Sequence, residues 1–224
     1  MRQLPLALGV AREPGFDDFV VGGHGATLAA LQGHQMPGAP LFLYGPAGSG
    51  KTHLLRALAG RVAGQGGRCG WFEPATPLPW VFDAGWSLVV IDGAERLDAA
   101  RQHAAFVLFI EAASHAVQVA AAGRLPPAEL PLRDDLRSRL AWGLVLGLAP
   151  LPEAAARAVF EAEATRRGMA LPPEVVDYVL TRLDRNLGAL MALLARLDGF
   201  SLAQRRAVTV PLLKKMLADE PDPV

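Results

Sequence analysis

Gly45-Pro46-Ala47-Gly48-Ser49-Gly50-Lys51-Thr52 has the spacing G-x-x-x-x-G-K-[ST]. In such a loop the glycines let successive backbone N–H groups face a phosphate. The lysine brings a cation to the β and γ oxygens, and the hydroxyl after it is a ligand for Mg²⁺. A second carboxylate is needed to hold the water shell of that ion, and Asp92 is placed for it at the end of the apolar run Leu88-Val89-Val90-Ile91. Gly45 to Thr52, with His53 directly after them and Asp92, are therefore the candidate nucleotide-binding residues. Thr52 and Asp92 are the candidate Mg²⁺ ligands. Hydrolytic phosphate-loop proteins usually carry an acidic residue next to this aspartate, whereas here Gly93 and Ala94 follow it. Glu95 would have to reach back around a turn, which makes it a weak candidate base and the chain a doubtful ATPase.

The loop has this meaning only between a strand and a helix. Leu41-Phe42-Leu43-Tyr44 reads as a short buried strand, and Thr52 onwards reads as a helix ending near Gly60 or Gly64. Strands are also expected at Cys69 to Glu73, Leu88 to Asp92, Val117 to Ala121 and Leu144 to Leu148, with a weak helix at Thr27 to Gln35 and a clear one at Arg101 to His115. This alternation predicts a parallel αβα sheet whose ligand crevice lies beyond the carboxyl ends of its strands. After Pro150 and Pro152 the pattern is helical throughout: Glu153 to Arg167, Pro173 to Leu183, Leu187 to Leu197 and Pro211 to Ala218, with Gly168, Gly188 and Gly199 among the breakers. The expected divisions are an arm over 1–12, a nucleotide-binding αβα domain over 13–150 and a small all-helical lid over 151–224.

Composition narrows the function classes. The chain has 224 residues, 51% of them hydrophobic, enough for an ordered core, and its 22 Lys and Arg balance 22 Asp and Glu. That balance argues against whole-surface binding to DNA or to an anionic membrane. The single cysteine, Cys69, reads as a reduced buried thiol, and no apolar run reaches the roughly 20 residues of a membrane span, so no membrane partner and a cytoplasmic location are expected. The five histidines show no metal-ligand spacing, and Trp71, Trp80, Trp86 and Trp142 read as core or interface packing.

Taken together, these segments resemble the DnaA family of AAA+ proteins, and within it the shorter Hda branch. The resemblance is carried by Phe16-Asp17-Asp18-Phe19-Val20-Val21-Gly22, the phosphate loop, the strand ending at Asp92, Arg124-Leu125-Pro126-Pro127 and Leu136-Arg137-Ser138-Arg139-Leu140-Ala141-Trp142-Gly143. It implies an AAA+ fold, ADP or ATP with Mg²⁺ as cofactor, and Phe19 and Val20 beside the adenine. It also implies that Arg139 is an arginine finger inserted into a neighbour's nucleotide site. Such a finger supplied in trans raises phosphoryl-transfer rates by roughly 10³ to 10⁵. Gln3-Leu4-Pro5-Leu6-Ala7-Leu8 is similar to the hexapeptide with which this branch binds the β sliding clamp, so Gln3, Leu4, Leu6 and Leu8 are the candidate clamp contacts.

The implied function is a regulator of chromosome replication that reaches DNA indirectly, through the clamp, and stimulates ATP hydrolysis by DnaA. The initiator's helix-turn-helix domain, which reads DNA, has no counterpart before Val224, and the family's habit of assembling through the finger-bearing face leaves a homodimer open. Two departures accompany Gly93. The family's lid arginine is replaced by Gly188, with Arg185 one turn earlier, and its polar sensor by Gly123 and Arg124. These suggest that nucleotide is held as a structural ADP rather than turned over. A self-sufficient AAA+ ATPase, such as a helicase-loader-like remodelling protein, is the alternative.

Overall fold

The computed structural model describes residues 15–19, 23–182 and 187–219. The arm with Gln3, Leu4, Leu6 and Leu8 lies outside these residues, as do Val20 and Arg185. Helix α1 spans Gly25–Gly33, β1 Leu41–Tyr44, α2 Lys51–Gly64 and β2 Cys69–Phe72; β3 is Leu88–Asp92, α3 Ala99–Ser114, β4 Gln118–Gly123, α4 Asp134–Ala141 and β5 Leu144–Gly147. All strand pairs are parallel and the order is β2-β3-β4-β1-β5. Every residue of β4 is buried, as are the first four of β3, which explains the unbroken apolar runs that mark them in the sequence.

This strand order decides which helix covers which face. A right-handed crossover places its helix on a face set by the direction of travel across the sheet. From β1 the chain crosses over β4 and β3 to reach β2, carrying α2 to one face, where Leu54, Leu55 and Leu58 pack with Leu28 and Leu31 of α1. The steps from β3 to β4 and from β4 to β5 run the other way, so α3 and α4 bury Leu108, Phe109, Leu136 and Leu140 on the opposite face. The long connection between β2 and β3 also lies there: Trp80 stacks at 4.9 Å on Phe72, and Trp86 meets Phe72 edge-on at 5.7 Å. Cys69, expected to be buried, is only partly so.

Four further helices, α5 Glu153–Arg166, α6 Pro173–Arg182, α7 Leu187–Gln204 and α8 Val210–Ala218, enclose a separate core around Phe160, Val176, Val179, Leu194 and Leu213. Gly168 follows the end of α5, but Gly188 and Gly199 break nothing; both lie inside α7. The Leu190, Leu193, Leu194 and Leu197 stripe, buried in this core, carries the helix through both glycines. By length and composition α7 could also cross a membrane; the buried stripe accounts for its apolar character here.

At the end of α5, Glu163 accepts two hydrogen bonds from Arg166, at 2.7 and 2.6 Å, and one from Arg167 at 2.7 Å. Arg166 first, then Arg167, hold the Glu163 carboxyl below its ordinary value. A depressed carboxyl stabilises the fold above its unfolded pKa and loses that contribution as pH falls through the folded one. Glu163→Gln is therefore expected to lower stability by roughly 0.5–1 kcal/mol at neutral pH, and the difference between thermal melts of variant and parent should shrink as pH falls below the ordinary glutamate range.

Candidate functional site

The phosphate loop leaves β1 between β4 and β5, at the carboxyl edge of the sheet where open α/β folds bind ligands. Gly45 N donates to Gly123 O at the end of β4, and Leu148 N donates to Tyr44 O, so the mouth of the loop is held from both neighbouring strands. Gly50 is left-handed at φ 93°, and a Cβ there would approach Phe19 Cε2 to 2.6 Å. Only glycine meets both conditions. Lys51 folds back over the loop, its Nζ donating to Gly45 O and Pro46 O at 2.7 Å each and to the buried Ser49 Oγ at 3.4 Å. Burial pulls this ammonium below the ordinary lysine value, Glu95 and Asp92 pull it back up, and Arg124 lowers it further.

Thr52 Oγ1 donates to Asp92 Oδ2 at 2.6 Å. A hydroxyl and a carboxylate already in contact, beside an ammonium that satisfies itself on loop carbonyls, fit a magnesium nucleotide. Lys51 would exchange carbonyls for phosphate oxygens, while Thr52 and Asp92 would hold the ion. When bound, that ion neutralises charge on the β and γ oxygens.

Phe19 does not stand clear of the loop. Its ring is buried against Gly50, with His53 at 5.6 Å and His24 at 6.2 Å. His53 Nε2 lies 3.1 Å from Gly15 O, so this nitrogen donates, and the ring ties the first turn of α2 to the segment that carries Phe19. His24 does the same for the chain as it leaves β5. It is buried, and its Nε2 donates to Ala149 O at 3.1 Å, while Thr27 Oγ1 donates to Gly147 O at 3.3 Å.

Glu95 does reach back around the turn after Asp92. Gly93 is left-handed at φ 75° and the chain then winds a single 3₁₀ turn, Ala94–Arg96, which carries Glu95 back over the end of β4. There Oε1 lies 3.4 Å from Arg124 Nε, and Oε2 would be 3.5 Å from a Cβ on Gly123. Among the anions acting on Lys51 it ranks ahead of Asp92. The legible signal was the left-handed glycine after Asp92 followed by a tight turn; spacing alone concealed it.

Arg139 lies on α4, on the face opposite α2. Its neighbours are engaged: Arg137 pairs with Asp134, and Arg133 with Asp135 at 2.6 Å. Arg139 has no ion-pair or hydrogen-bond partner among the described residues. One turn on, Trp142, expected in core or interface packing, lies outside the core, 73% exposed. Gly188 occupies the first turn of α7.

The model of the bacterial DnaA ATPase domain matches residues 10–66, and that of the Hda lid domain matches residues 153–217. In these two stretches the chain is DnaA-like and Hda-like, and its fold is that of AAA+ proteins. Solved AAA+ structures share its fold. Domain III of the Thermotoga maritima replication initiation protein DnaA superposes with a TM-score of 0.76 at 23% identity, covering 95% of this chain and 98% of that one. AMPPCP-bound DnaA from Aquifex aeolicus gives 0.67 at 20% identity, covering 93% and 70%. A Thermotoga maritima RuvB mutant gives 0.64 at 16%, covering 92% and 72%. Within this AAA+ fold, the contact between Gly50 and Phe19 links the loop to the segment preceding α1. Gly50→Ala is expected to lower the melting temperature and to abolish the further rise that ADP with Mg²⁺ gives the parent chain. A thermal shift measured with and without nucleotide checks both.

Proposed function

We propose that this protein is a DnaA-related regulator of replication initiation that, bound to ADP, supplies Arg139 in trans to ATP-bound DnaA and so ends that initiator's active state. The observation that carries this reading is the state of Arg139. Around α4 it alone is unpaired among the described arginines, and its helix lies on the face of the sheet opposite the helix that starts at the chain's own phosphate loop. A guanidinium in that condition has its fork of donors available to a phosphate on another molecule. Exposed Trp142, one turn on, supplies an apolar anchor of the kind that dominates protein interfaces. The DnaA-type ATPase and Hda-type lid matches support the same reading.

In this account the division falls at 150/151, and the helical part moves relative to the αβα part as ADP binds, because His24 and Thr27 grip the connecting segment 147–149. The 1–12 arm, through Gln3, Leu4, Leu6 and Leu8, holds the protein on a sliding clamp already loaded on DNA, in the cytoplasm. Tethering raises effective concentration, so a modest affinity for DnaA suffices there.

The test is ATP turnover by DnaA with DNA-loaded clamp. The intact protein should accelerate it. Arg139→Ala should remove the acceleration, roughly 10³-fold if the finger acts in full, while leaving clamp binding intact. Gln3→Ala with Leu6→Ala should remove it only where the clamp is required. Unchanged stimulation by Arg139→Ala would reject the finger.

A further inference from the structure

Charge in the helical part is unevenly neutralised. On α5 the arginines are paired: Arg157 with Asp177 and Glu161, and Arg166 and Arg167 with Glu163. At the corner where α7 passes into α8 they are not. Between Asp198 and Asp219 the chain carries Arg205, Arg206, Lys214 and Lys215 and no acidic residue. All four are exposed. The side chains of Arg205, Arg206 and Lys215 have no ion-pair or hydrogen-bond partner among the described residues. Lys214 Nζ rests 5.3 Å from the centroid of the Tyr178 ring, a contact that leaves its charge in place. In a chain whose 22 basic residues balance 22 acidic ones, this corner is a local excess rather than part of a general field.

The corner is also fixed. Arg205 is left-handed at φ 50°, a conformation that few residues other than glycine adopt. It is held there by Arg206 N, which donates to Ser201 O at 3.1 Å, and by Ser201 Oγ, which donates to Arg206 O at 2.6 Å. Beyond it Val208 is buried, and Thr209 Oγ1 caps α8 by accepting from Leu212 N at 3.3 Å. Leu213 and Met216 enter the helical core, which leaves Lys214 and Lys215 on the outer side of α8. Cations on a backbone pinned at both ends lose less freedom when they meet a ligand than cations on a loose loop.

We infer that this corner is a landing surface for the phosphate backbone of duplex DNA. The arginine forks match phosphate oxygens and the lysines add point charges; such contacts hold a duplex without reading its sequence. Other anionic surfaces fit less well. Single strands are held by stacking on exposed aromatic rings, whereas Tyr178 and Phe200 are packed against the helical core. A membrane surface takes an apolar helix face together with the charge. The apolar face of α8 is buried, and Leu202 is the one large apolar side chain exposed in the helical part among the described residues. This inference goes beyond the reading of Arg139 and does not depend on it.

The experiment is fluorescence anisotropy of a short labelled duplex of arbitrary sequence, titrated with the full chain at several salt concentrations, with neither clamp nor DnaA present. The parent should bind, and the logarithm of its association constant should fall against the logarithm of salt with a slope near −3.6, about 0.9 for each of four phosphates neutralised. Between about 50 and 200 mM salt that is a loss of roughly 100-fold. Arg205→Gln with Arg206→Gln, and Lys214→Gln with Lys215→Gln, should each flatten the slope by about 1.8. Arg157→Gln with Arg166→Gln removes the same charge from α5 and should leave the slope unchanged. Thermal melts of the corner variants should match the parent, so that lost binding is not lost folding. Absence of binding by the parent overturns the proposal, as does a control pair that flattens the slope as much as the corner pairs do. Capture of the parent by phosphatidylserine vesicles without binding to the duplex overturns it in favour of a membrane surface. Because the assay omits clamp and DnaA, its failure leaves the reading of Arg139 standing.

Discussion

The hydrogen bond from Thr52 Oγ1 to Asp92 Oδ2 spans a gap that the sheet does not close. The strands that lead to these residues, β1 and β3, are not neighbours, because β4 lies between them. For a hydroxyl after β1 to meet a carboxylate at the end of β3, the chain must pass over the top of β4, and that top must be low. β4 accordingly ends Ala120-Ala121-Ala122-Gly123. A Cβ on Gly123 would come within 2.9 Å of Phe42 Cζ. The same low rim is where Gly45 N finds its acceptor and where Glu95 lies down. The small residues at the end of one central strand are thus a condition for the polar contacts of the site that cross or touch β4.

Strand order then separates two kinds of chemistry. Travel in opposite directions from the middle of the sheet puts α2, which begins with Lys51 and Thr52, on one face and α4, with Arg139, on the other. Lys51, Thr52, Asp92, Glu95 and Arg124 all lie at or near one edge of the sheet. Arg139 belongs to a different surface, flanked by an exposed tryptophan. One parallel sheet therefore keeps the phosphate loop and Arg139 on different surfaces of the chain, and His24 and Thr27 bond to the carbonyls of Ala149 and Gly147 where the chain leaves β5.

Much of this was legible in the sequence because the strongest signals are local. The phosphate loop, the strand ending at Asp92 and the change to all-helical periodicity after Pro152 each declare themselves within a dozen residues. β1 to β5 and six of the expected helices lie close to their expected places among the described residues, whereas α4 was not expected as a helix and α7 runs on past Leu197 to Gln204. What escaped depends on contacts that sequence spacing does not encode. Glu95 looked too distant from Asp92 until a left-handed Gly93 and one 3₁₀ turn shortened the path. Gly199 looked like a breaker, yet the leucine stripe of α7 outweighs a propensity cost of about 1 kcal/mol. The resemblance implied only that Phe19 lies beside the adenine, whereas its ring fills the space that a side chain at Gly50 would need.

The claim at the centre of this account is that the rim over β4 holds a magnesium nucleotide, with Lys51 moving from loop carbonyls to phosphate oxygens. Calorimetric titration of ADP with Mg²⁺ into nucleotide-free protein tests it most directly, with Lys51→Ala alongside. The account predicts one site per chain and an affinity at least about 100-fold weaker in the variant, the loss of roughly 3 kcal/mol expected when a charge-assisted contact to phosphate is removed. Absence of binding in the parent chain, or equal affinity in both, would contradict it.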